Sequence, residues 1–138
     1  MSVRFSRALR VAAALSVFAV VGSAAELPWS AACAAADPPV SFSDDVLPLL
    51  KWRCASCHQA GGQGFDKSGL DLTSYAGVMK GTKFGPMVTP GDPDTSNLMR
   101  LLDWKVSPEI RMPHGKKQLS TCDRDSIRAW IRQGAKDN

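Results

Sequence analysis

The chain has 138 residues, with 17 Lys and Arg against 13 Asp and Glu, a net charge of +4. That length suggests one domain. Three of the basic residues stand in the first ten positions, and from Asp37 onward 14 basic residues are spread among 12 acidic ones. Such even mixing excludes a general claim on nucleic acid or on an anionic membrane surface.

The first stretch does not read as fold. Arg4, Arg7 and Arg10 precede the apolar run VAAALSVFAVVG at 11–22, and small residues follow at Ser23-Ala24-Ala25 and again at Ala34-Ala35-Ala36. A basic start, a short apolar core and A-x-A-like sites are the pattern of a secretory signal peptide. The run is shorter than the ~20 residues a membrane span needs. The expected organisation is a signal peptide over 1–25, with an alternative end at 36, a flexible segment over 26–41, and one domain over 42–138. This places the mature chain in the periplasm without a membrane span.

Residues 43–53, SDDVLPLLKWR, predict a short helix. Ser43 can cap it, Asp44 and Asp45 suit its positive end, and Val46, Leu49, Leu50 and Trp52 form a partly amphipathic face. A glycine-rich stretch, GGQGFDKSGL, reads as a loop. A helix is expected from about Ser74 to Lys80, capped by Thr73 and stopped by Gly81. Pro and Gly then hold 82–93 in turns. Asp94 is positioned to cap a helix TSNLMRLLDW with Leu98, Leu101 and Leu102 inward. VSPEIRMPHGKKQ is a second loop. The last helix runs from near Ser120 to Gly134, with Leu119, Ile127, Trp130 and Ile131 on its apolar side and Asp123 three residues after the cap. No strand pattern stands out, so the fold class is all-α: three to four short helices and long loops. About 100 residues bury only a modest core and often need a disulfide, metal or cofactor.

The chemistry sits in CASCH: Cys54, Ala55, Ser56, Cys57, His58. A structural zinc site wants four ligands, commonly from two paired knuckles, and there is one pair here. A redox dithiol expects a βαβ context, which is absent. C-x-x-C-H at the end of a helix, in an exported chain, is the pattern of c-type haem attachment. The two thiols add to the two vinyl groups of haem as thioethers, and a three-residue offset sets both sulfurs along one porphyrin edge. His58 then reaches the iron as proximal ligand. The cofactor expected is one covalently attached haem c, filling the centre of a small loop-rich domain.

The sixth position has several candidates: Met79, Met87, Met99, Met112 and His114. Met79 and Met99 fall in helical patterns and read as core filler. Met87 follows a turn. Met112 lies in a proline-stiffened loop and is preferred, with His114 as rival.

The stretches FSDDVLPLLKWRCASCHQ at 42–59, GLDLTSYAGVMKGTKFGPMVTPGDPDTSNLMRLL at 69–102, RMPHG at 111–115 and LSTCDRDSIRAWIRQGA at 119–135 resemble a class I c-type cytochrome domain. More narrowly they resemble the planctomycete-type cytochrome c family. The resemblance implies the cytochrome c fold, with its first and last helices packed at one haem edge, and Met112 as distal ligand. Cys122 departs from the pattern. It reads as a small buried residue, with a Cys33–Cys122 disulfide open if cleavage falls after Ala25.

The function this implies is a periplasmic mono-haem electron carrier cycling Fe(III)/Fe(II), not an enzyme, with unidentified redox protein partners. Lysines at 51, 67, 80, 83, 105, 116 and 117 could steer acidic ones. Two alternatives stay open. One is a haem enzyme or gas sensor with an open sixth position served by His114 and Arg111. The other is a relay subunit of a dehydrogenase or respiratory assembly.

Overall fold

A computed structural model describes residues 38–138 of the protein. The expected signal peptide, both expected cleavage points and Cys33 lie outside the described residues. Within them the protein is all-α, with five α-helices and no named strand. No helix there is long and apolar enough to cross a membrane.

The first helical segment begins earlier than its sequence suggests. A wide turn over Phe42–Val46 leads into α1, Leu47–Arg53. Ser41, not Ser43, is the cap: its hydroxyl accepts the Asp44 N–H at 3.1 Å, while its own N–H donates to the Asp45 carboxylate at 2.8 Å. The Val46 N–H reaches back to the Ser41 carbonyl, five residues away. This wide turn puts Phe42, Val46 and Leu50 on one inner face, all three buried. Pro48 sits in the first turn of α1, where its missing N–H costs no hydrogen bond. Trp52 does not belong to that face. Two residues beyond Leu50 it points away, 77 % exposed, with the Arg53 guanidinium over its ring.

The glycine-rich stretch contains a helix that its composition conceals. Helix α2, Gln63–Ser68, is bracketed by Gly62 at its start and by Gly69 at its end, where φ is +76°. The glycines punctuate a short helix; they do not dissolve it. Helix α3 is Tyr75–Lys80. Ser74 caps it by accepting the Gly77 N–H, while Thr73 is tied to the Asp71 carboxylate. Gly81 stops it as expected.

Helix α4, Asn97–Leu102, is shorter than the predicted 95–104. Asp94 does not cap it, because its N–H and that of Thr95 are donated to the Asp92 side chain in a preceding turn. Buried Ser96 staples that turn, taking the Thr89 N–H and donating to the Asp92 carbonyl. Leu98 and Leu102 are buried and Leu101 half-buried. A 3₁₀ turn, Pro108–Ile110, interrupts the second loop. Helix α5, Thr121–Arg132, starts at a Ser120 cap that accepts the Asp123 N–H. Its Ile127, Trp130 and Ile131 are buried, with Leu119 ahead of it. Cys122 is not the small buried residue expected: in the first turn of α5 it faces away from the core and is exposed, and it is disulfide-bonded.

The two ends of the domain meet at an aromatic cluster. The Phe42 ring lies 5.2 Å from that of Trp130 and 5.3 Å, edge-on, from that of Tyr75. Polar groups close the seam: the Phe42 N–H donates to the Asn138 side chain, and the Tyr75 hydroxyl to the Ala135 carbonyl. The expected contact of the first and last helical segments is thus present. A second tie joins α4 to α5, where nearly buried Asp103 receives Arg128 at 2.6 Å and Arg124 at 3.5 Å. Satisfied on both oxygens, the carboxylate fixes the register of the two helices.

Candidate functional site

CASCH forms the turn that ends α1. The Cys54 and Ala55 N–H groups both donate to the Leu50 carbonyl, and those of Cys57 and His58 both donate to the Cys54 carbonyl. The turn is clamped from outside as well. The Cys57 carbonyl accepts from Phe65 in α2, and the His58 carbonyl accepts from Leu72. Helix α2, unrecognised in the sequence, is therefore the brace of the motif.

The approach of α2 is close. A Cβ on Gly62 would sit 2.5 Å from the Cys57 carbonyl oxygen, and one on Gly64 would sit 2.7 Å from His58 Cε1 and 2.9 Å from its Nδ1. The glycines are what permits this contact. His58 is buried, and its Nδ1 has no hydrogen-bond partner in the structure. Burial pushes the imidazole pKa down, and the facing Leu70 carbonyl opposes this more weakly. Burial thus favours the neutral imidazole, the form whose lone pair can bind a metal. With Nδ1 packed behind Gly64, Nε2 is the nitrogen left for that task.

Cys54, Cys57 and His58 line a cavity of about 750 Å³. Leu50, Leu70, Leu72, Leu98, Leu101 and Leu102 supply much of its apolar wall. Both cysteines are free thiols, Cys54 half-buried and Cys57 exposed. Burial raises the Cys54 thiol to about 11, which opposes the thiolate a redox dithiol needs. Among the described residues no group of three or more His, Cys, Asp or Glu could hold a metal ion, which disfavours a preformed zinc knuckle. The cavity is of the size and apolar character of cofactor sites. Its donors are two uncommitted thiols and one neutral imidazole on a single turn. These residues fit a haem held by two thioethers and a histidine.

Of the candidates for a second iron ligand, Met112, His114 and Met87 line the same cavity. Met79 and Met99 do not, and Met99 is core, 1 % exposed. Met112 is half-buried and His114 exposed. The Met112 N–H donates to the Leu101 carbonyl at 3.3 Å, and its carbonyl accepts the Trp104 indole N–H at 2.9 Å. Sequence reasoning missed Gly64 and Trp104, since both roles arise from contacts between separate segments. Arg53, Lys67, Arg100 and Lys116 also line the cavity, against the single acid Glu109, giving it a basic mouth.

No curated protein and no solved structure matches the chain. Residues 54–114 match the family model described as planctomycete cytochrome C. The match opens on the first thiol and closes at His114, so it holds Cys54, Cys57, His58 and Met112. Family and motif together point to haem c. Over residues 54–114 the chain is similar to the planctomycete cytochrome C family.

Proposed function

We propose that the protein is a periplasmic mono-haem c-type cytochrome that carries single electrons, on a cytochrome c fold. One observation carries the reading: two free thiols and a buried imidazole on one turn open into the same apolar cavity as Met112. When bound, haem c supplies an iron that alternates between Fe(III) and Fe(II). The chain's own residues do the rest. Cys54 and Cys57 hold the ring covalently, His58 gives Nε2 to the iron, and Met112 gives its sulfur. The leucines of the cavity wall keep water away, which limits reorganisation when charge moves.

No catalytic set is required. Arg111, which an enzyme or sensor reading would use, is engaged elsewhere: its guanidinium lies 5.4 Å over the Trp104 ring and its Nε donates to the Val106 carbonyl. The partners in this reading are acidic redox proteins. All seven lysines named above are exposed, and Lys67 and Lys116 line the cavity. Their charge would speed encounter in a salt-dependent way. The periplasmic location rests on the basic and apolar start of the chain.

The test is optical. Protein exported from a host with haem c maturation should show covalent low-spin haem and a weak far-red sulfur-to-iron band when oxidised. Met112→Ala should lose that band. A high-spin wild-type spectrum, or a mutant identical to wild type, would remove Met112 as ligand and favour an open or His114-bound iron.

A further inference from the structure

We propose that Trp104 is a positioning residue that holds the Met112 segment against the cavity, and so sets how readily the sixth iron position opens. The inference rests on Met112 being the distal ligand.

The argument starts at the end of α4. A helix leaves its last carbonyls without intrahelical partners. Here the Leu101 carbonyl takes the N–H groups of both Trp104 and Met112, and the Leu102 carbonyl takes the Gln118 side chain at 2.9 Å. The loop that carries Met112 is thus stitched to the helix end from both sides. Trp104 makes the remaining stitch. Its φ is +60°, in the left-handed region that bulky residues avoid. That conformation persists only where surrounding contacts enforce it. The contacts here are specific. The indole N–H reaches the Met112 carbonyl at 2.9 Å, and the Arg111 guanidinium covers the ring face. Met112 is therefore fixed at its N–H by Leu101 and at its C=O by Trp104, while its side chain is free to line the cavity. Asp103, the neighbouring residue, is locked to α5 by Arg128, so the platform bearing the indole is itself rigid. A sulfur is a weak ligand that an outside base can displace. How often it lets go depends on how tightly its backbone is held.

The experiment compares wild-type holoprotein with Trp104→Phe, which keeps an aromatic ring but removes the indole N–H together with the pyrrole ring that bears it. The probe is imidazole, titrated into the oxidised protein and read from loss of the far-red band. Losing one hydrogen bond to a part-buried carbonyl should tighten imidazole binding about tenfold. Covalent attachment and the far-red band without imidazole should remain. A lower melting temperature with unchanged imidazole affinity would assign Trp104 to general stability and overturn the proposal. If Trp104→Phe does not fold, the wild type still decides. Exchange of the Trp104 indole proton should quicken at least tenfold when imidazole displaces Met112, and an unchanged rate overturns the proposal. A wild type with no far-red band brings down the Met112 reading and this inference with it. A band in wild type with no effect of Trp104 brings down the inference alone.

Discussion

Gly64→Ala sets two effects against each other at the heart of the site. Gly64 lies inside α2 and outside the positive-φ glycines, so alanine meets no backbone strain there. Helix propensity alone would make the change favourable by about 1 kcal/mol. The added Cβ, however, would lie 2.7 Å from His58 Cε1 and 2.9 Å from both His58 Nδ1 and the Cys57 carbonyl oxygen. Carbon atoms pack best at about 3.5–4.0 Å, so something must move by nearly an ångström. The carbonyl belongs to a turn whose Cys54, Ala55, Cys57 and His58 N–H groups are all bonded, and the imidazole is buried, so neither yields cheaply. Overpacking of this kind costs about 1–3 kcal/mol. The net loss is about 1 kcal/mol, or a melting temperature about 5 °C lower for a domain of this size. The assay is thermal unfolding of the holoprotein beside its oxidised spectrum, with Gly61→Ala as control. Gly61 has φ +82° and nothing within 4 Å of its Cβ position. Alanine there should cost about 1 kcal/mol through the backbone alone and leave the spectrum unchanged. A Gly64→Ala protein as stable as wild type, with the same spectrum, would refute the claim that α2 presses on the proximal histidine.

Three further outcomes are expected. Trp130→Ala should destabilise by about 3–5 kcal/mol in urea unfolding, since it empties the ring cluster and strands the Lys136 carbonyl. Trp52→Ala, at an exposed position, should stay within about 0.5 kcal/mol. Asp71 is held below the usual carboxylate range by the Thr73 hydroxyl first and the Thr73 N–H second. A depressed folded pKa means its contribution is complete above the unfolded value near 3.9 and is lost as pH falls through the folded value. Urea midpoints measured from pH 5 downward should therefore fall less steeply in Asp71→Asn than in wild type, and parallel curves would contradict the assignment.

What could be read in the sequence follows a physical division. Helix α5 was legible because its information is local and redundant: a serine cap, an apolar stripe of Ile127, Trp130 and Ile131, and a glycine two residues past its end. The reactive turn was legible because covalent chemistry demands particular residues at fixed spacing. Helix α2 was not, because six residues between glycines carry too little propensity to predict a helix. It is held by the Phe65 N–H on Cys57 and by close approach to His58, both tertiary facts. Trp52 and Ser43 misled for a related reason. One extra residue in the wide turn at Phe42–Val46 moved the cap to Ser41 and brought Phe42 into the core in place of the later tryptophan.

The same division explains why the two halves of the molecule differ in build. On the α5 side, Phe42, Tyr75 and Trp130 pack on one another, and their burial needs nothing from outside the chain. On the CASCH side, six leucines line a cavity of about 750 Å³ together with Cys54, Cys57, His58 and Met112, and Leu50, Leu70, Leu72, Leu98 and Leu102 are buried there. An apolar ring seated against such a wall would add to the stability of the fold. The CASCH turn and the Met112 loop reach that space from opposite ends of the matched sequence. Each is braced by the protein independently of any occupant: α2 behind His58, and the end of α4 with Trp104 behind Met112. In the proposed reading, ligands braced in this way would change little between oxidation states. That favours the fast, low-barrier exchange an electron carrier needs over the mobile distal side that ligand capture demands.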